Sequence, residues 1–121
     1  MFNFLLLLSS IVFLSLDFIY LNVMKNYYLK QIEKVQGSPA KINYLGVGLC
    51  YIFLIIAFNY FIIKPHRKIS DAFLLGLVIY GVFNTTNYAI LKDWSLITVF
   101  IDTLWGGLLF ASTTFIIDLF R

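Results

Sequence analysis

The chain has 121 residues, 61% hydrophobic and only 12% charged, with a mean hydropathy of +0.90 and a formal net charge of +3. A soluble domain of this length could not bury so much apolar surface, whereas a lipid-embedded one has no need to. The lysines and arginines flank apolar stretches, which argues against a nucleic-acid-binding module and makes membrane lipids, through anionic headgroups at the Lys/Arg loops, the expected partners.

About 20 apolar residues cross the roughly 30 Å hydrocarbon layer as a helix, and four stretches are long enough. The first covers 2–24. It reads as a retained helix rather than a signal peptide, because it lacks a basic n-region and its apolar run is too long. Asn22-Val23-Met24-Lys25 also offers no small-residue cleavage site. Asp17 lies in this helix and shares its face with Phe13, Leu14, Tyr20 and Leu21. The loop 25–41 follows. Its tyrosines Tyr27 and Tyr28, between Lys25 and Lys30, suit an interfacial segment with rings at headgroup level and ammonium groups in water.

The second helix covers 42–63. Ser38-Pro39 is read as its capping residue and first-turn proline, and Pro65 as its stop. Cys50, the single cysteine, has no partner for an internal disulfide and is expected to be a small buried apolar residue. His66, between Pro65 and Arg67, is expected to be a solvated loop residue. With one histidine and one cysteine, the chain lacks the clusters that zinc, copper or haem draw on, so no metal and no cofactor is expected.

The third helix covers 70–91, with Ser70 or Asp71 as its cap, and carries Asn84, Asn87 and Tyr88. The fourth covers 95–120, with Asp93 or Ser95 as its cap, and carries Asp102 and Trp105. Short connections make neighbouring helices antiparallel. The expected fold is all-α: four transmembrane helices in an up-down antiparallel bundle, forming a single multi-pass integral membrane domain. Small residues recur at spacing four, as in Gly46 with Cys50, Ala72 with Gly76 and Gly107 with Ala111, which lets helices approach closely in lipid.

In this topology the N-terminus, second loop and C-terminus share one side, here side A, and the first and third loops share side B. Lys64, Arg67, Lys68 and Arg121 stand on side A against Lys25, Lys30, Lys34, Lys41 and Lys92 on side B, a balance that favours neither orientation.

Counting at 1.5 Å per residue puts Asp17, Asn84 and Asp102 about 10 Å inside the side B boundary, with Asn87 nearer to it. Three helices thus bring polar residues to one layer. Asn84 and Asn87 lie on one stripe, as do Asp102 and Trp105. Thr85 and Thr86 can bond to their own helix. The carboxylates and amides cannot do so as readily, so they are expected inside the bundle. Asp17, Asn87 and Asp102 are expected to share one connected pocket open to side B, walled by Tyr20, Tyr88 and Trp105.

Leu16 to Leu21, Tyr27 or Tyr28, Thr86 to Trp94 and Ile101 to Gly106 together resemble a family of small, mainly bacterial, predicted membrane proteins with no established function. The resemblance covers essentially the whole chain and implies a four-helix integral membrane protein. The family tends to have Asp where this chain has Asn84, and Trp where it has Tyr20.

A carboxylate at the bilayer centre costs about 2.5–3.5 kcal/mol on insertion scales, so the cluster calls for an account. One is a proton-coupled small transporter working as a homodimer, with Asp17 near a shared axis and a cationic or lipophilic substrate. A second is an interhelical lock, each bond contributing about 0.6 kcal/mol while pinning register. A third is a lipid-modifying enzyme using Asp17 and Asp102, which no dense ligand motif or nucleophile–base pair backs. The balance is against an enzyme, and no residue is assigned a catalytic role.

Overall fold

The computed structural model describes residues 2–121, and side chains from residue 4 onward. It is all-helical among those residues. α1 runs Phe2–Gln36, α2 Tyr44–Phe58, α3 Ile69–Ile90 and α4 Leu96–Asp118. A π-helical turn, Asn59–Ile63, prolongs α2. With that turn included, all four helices are long and apolar enough to cross a membrane.

Three local readings of the sequence are corrected. α1 does not stop near residue 24 but continues to Gln36, where Gly37 turns the chain with φ 76°. The tyrosine–lysine stretch is therefore a helical extension of α1, and its side chains find partners on α4 that a free loop would lack. α2 is capped by Asn43, whose side chain accepts from the Gly46 N–H, and not by Ser38-Pro39. Lys68 holds the cap position before α3 and makes no side-chain capping bond, so neither Ser70 nor Asp71 has that role. α4 is capped by Ser95, whose Oγ accepts from the Thr98 N–H at 3.1 Å.

The tightest packing joins α3 to α4. Gly76 lies so close to Gly106 that a Cβ built on it would run into the Gly106 carbonyl. A Cβ on Gly107 would meet the Phe73 ring at 2.7 Å. Small residues here let two backbones touch, which is how helices associate when lipid supplies no hydrophobic drive. The core sits in the side A half. Phe13 of α1, Phe58 of α2 and Phe110 of α4 meet there with ring centroids 5.3–5.9 Å apart. Ser9 bonds to Asn59 at 3.1 Å where the π turn begins, and Arg121 reaches back to the Ile63 carbonyl at 2.9 Å.

α2 is packed unevenly. Leu54, Phe58, Ile62 and Ile63 are buried, while every residue from Lys41 to Cys50 is exposed. Cys50, expected to be buried, is exposed because this half of α2 stands off its neighbours. Gly46 shows the same looseness, since a Cβ there would meet nothing nearer than its own capping Asn43 at 3.9 Å.

Candidate functional site

Asp17 and Asp102 face each other's neighbourhoods from α1 and α4, and donors from all four helices converge on them. Asp17 is 5% exposed. Its Oδ1 accepts from the Trp105 indole N–H at 2.8 Å, and its Oδ2 accepts from the Tyr51 hydroxyl. Asp102 is partly buried. Its Oδ1 accepts from the Tyr28 hydroxyl at 3.1 Å and its Oδ2 from the Asn84 amide at 2.6 Å. Each of the four carboxylate oxygens therefore has one neutral donor. No lysine or arginine among the described residues pairs with either carboxylate.

Aromatic residues join the two halves. Tyr20 stacks on Trp105 with centroids 4.2 Å apart and planes 2° from parallel, while its hydroxyl bonds to that of Tyr28. The path from Asp102 thus runs through Tyr28 and Tyr20 to the face of Trp105, and from its edge to Asp17. An indole N–H only donates, so Trp105 ends the chain of exchangeable protons while holding both halves in register.

Asn84 is fully buried. Its Nδ2 donates to the Tyr80 carbonyl at 2.8 Å as well as to Asp102, and its Oδ1 has no partner. An unsatisfied acceptor in this position costs about 1–3 kcal/mol.

The structure thus brings together Asp17, Asn84, Asp102, Trp105 and Tyr20. It does not bring in Asn87 or Tyr88. Asn87 is half-buried one turn further along α3, with no hydrogen bond from its side chain to a described residue, and Tyr88 is 51% exposed. Asn84, not Asn87, carries the α3 contribution, because it points at the α3–α4 seam where Asp102 lies.

The sequence reading missed Tyr51 and Tyr28 as direct partners of the carboxylates. Tyr51 lies within about 5 Å of the depth of Asp17 when residues are counted at 1.5 Å each from the side A ends of the two helices, so depth counting brings it near the layer. Tyr28 lies beyond residue 24, in the stretch that the sequence alone reads as a loop, so depth counting along the helices does not reach it. A second polar cluster was missed for the same reason. Gln31, 7% exposed, accepts from the Ser95 N–H at 3.1 Å and the Thr98 hydroxyl at 2.6 Å, and donates to the Asp93 carbonyl at 2.9 Å. Tyr27 adds a bond to Thr98 at 2.8 Å. The extension of α1 thereby closes over the start of α4.

Asp17 also lines a cleft of about 360 Å³ between α1, α2 and α3. Leu21, Gly46, Cys50, Tyr51, Leu54 and Tyr80 form the rest of its wall, with Val47. No group of three or more His, Cys, Asp or Glu side chains converges among the described residues.

A family model described as "Predicted membrane protein (DUF2177)" matches residues 2–117. No curated protein and no solved structure matches the chain.

Proposed function

We propose a function from the site itself, since the chain belongs to this family of predicted membrane proteins, whose description carries no activity. In this reading the chain is a multi-pass membrane protein that takes a lipophilic cation from the membrane plane onto Asp17, and protonation of that carboxylate releases it. One observation carries the reading. Asp17 is a carboxylate held only by neutral donors, with no cation opposite it among the described residues, on the wall of a cleft between loosely packed helices. A carboxylate in an apolar setting lowers its cost by meeting a positive charge, and Tyr51 and Tyr80 supply the ring faces that attract one.

Entry needs only that α2 shift and Tyr51 release Oδ2. Trp105 keeps Oδ1 in place meanwhile. A cation then exchanges for the Tyr51 hydroxyl, and a proton arriving on Asp17 removes the charge that holds it. Four helices are too few to enclose a wide pore, so in its transport form this reading uses a homodimer with Asp17 near a shared axis.

The interhelical lock is the second reading, favoured by the fact that all four carboxylate oxygens already have donors. Titrating the detergent-purified chain with tetraphenylphosphonium, followed by tryptophan fluorescence, separates the two. Saturable binding that strengthens as pH rises, vanishes in Asp17→Asn and survives in Asp102→Asn is the expected result. If the wild type binds no cation at any pH and Asp17→Asn only lowers the melting temperature, the lock reading stands instead.

A further inference from the structure

A larger groove of about 750 Å³ lies between α1 and α2 and is distinct from the Asp17 cleft. Leu14, Ser15, Phe18 and Ile19 of α1 form one wall, and Ile42 and Tyr44 on the α2 side form the other. None of these six touches the Asp17 cleft; the two spaces meet only at Leu21, Val47 and Tyr51. The α1 wall from Leu14 to Leu21 spans about 10 Å along the helix, at 1.5 Å per residue. It is a slot between two helices and mostly apolar, with Ser15 and the tyrosine hydroxyls as its polar groups.

Its mouth is basic. After Gly37 the chain turns back along α1, so that Pro39 and Ala40 lie with Asn26, Leu29, Lys30 and Glu33 around one small notch. Lys41 then immediately precedes Ile42 of the groove wall, and Lys25 follows Leu21 by one helical turn. The segment 25–41 holds four lysines against one glutamate. Lys25, Lys30, Lys34 and Lys41 are all exposed, and none forms an ion pair with a described residue.

We propose that this groove seats an acyl chain of a phospholipid whose anionic headgroup lies between Lys25 and Lys41. The apolar slot fits a hydrocarbon tail. The unpaired ammonium groups above it fit a phosphate carrying net negative charge, a pairing worth a several-fold gain for each lysine at the membrane surface. The tail would lie against Tyr51, the side chain that separates the groove from Asp17.

Native mass spectrometry of the purified full chain tests this, with phosphatidylglycerol and phosphatidylcholine offered separately at equal concentration. The expected result is one retained phosphatidylglycerol in preference to phosphatidylcholine, with retention falling about fivefold for each of Lys25→Gln and Lys41→Gln. Ser15→Trp, which fills the groove without reaching the Asp17 cleft, abolishes retention. Ile42→Trp, from the opposite wall, does the same, so misfolding of one variant leaves the other decisive. Equal retention of the two lipids overturns the proposal. So does undiminished phosphatidylglycerol in both groove-filling variants, which leaves surface electrostatics alone, and so does a dimer that occupies the groove without lipid.

Discussion

The α3–α4 seam and the α1–α2 face use the same kinds of residue to opposite ends. At the seam, Gly76 and Gly106 let two backbones touch, and the Asp102–Asn84 bond is stitched across the contact. At the α1–α2 face, Gly46 abuts only its own cap, and the Tyr51–Asp17 bond spans a gap bordered by two open spaces. The two carboxylates have similar sets of donors and differ in how firmly those donors are held. Asn84 is fixed by full burial and by its own bond to Tyr80, whereas Tyr51 rides on a helix whose residues up to Cys50 are all exposed. A hydrogen bond to a rigid donor is a lock, and one to a donor that can move is a latch.

The sharpest break in this comparison is at the glycines. Gly76→Val puts a branched side chain where a bare Cβ already runs into the Gly106 carbonyl, and backbone cannot yield as a side-chain tip can. Thermal unfolding in detergent is expected to show a loss of about 3 kcal/mol or more, or no folded protein at all. A Gly76→Val chain as stable as wild type would mean that the seam is not a closed contact.

Next in size is Asn84→Leu. It removes a donor from Asp102 inside the seam and leaves Oδ2 facing an apolar side chain, which costs about 1–3 kcal/mol. Part of this is offset, because the orphaned Asn84 Oδ1 disappears with the amide. The net loss is therefore expected in the lower part of that range, read as the same unfolding shift. Gln31→Ala should fall close behind, at about 1–2 kcal/mol, since it strips one donor from Asp93 and two bonds from the start of α4.

The contrast between seam and face also explains what the sequence could reveal. Four apolar stretches of spanning length fix the number of crossings, and short connections fix their alternation, because lipid admits little else. Depth counting brought Asp17, Asn84 and Asp102 to one layer, since rise per residue is the same in every helix. The expected pocket took Asn87 from α3, whereas the structure puts Asn84 against Asp102; the two lie three residues apart on one stripe, and which one faces α4 depends on how α3 is rotated against it, set by Gly76 and Gly106 packing. The span of α1 past residue 24 was hidden for a different reason. Its polar residues look like a loop in isolation and become helical through Tyr27, Tyr28 and Gln31 bonding to α4. Nor does any sequence pattern mark the uneven seating of α2, which is apolar throughout but buried only from Leu54 onward.

The smallest expected effect probes the latch directly. Tyr51→Phe deletes the donor to Asp17 Oδ2 but keeps the ring, and Trp105 still serves Oδ1. Deleting a donor to a buried carboxylate in a closed seam would cost about 1–3 kcal/mol. Here the lost hydroxyl borders a cleft of about 360 Å³, which leaves room for another donor to take its place. The expected unfolding shift is therefore under about 1 kcal/mol, clearly smaller than that of Asn84→Leu measured alongside it. Affinity for tetraphenylphosphonium should rise rather than fall in Tyr51→Phe, because the cation no longer displaces a hydroxyl to reach Oδ2. A stability loss equal to that of Asn84→Leu, with no change in cation binding, would make Tyr51 as firm a partner as Asn84 and turn both carboxylates into locks.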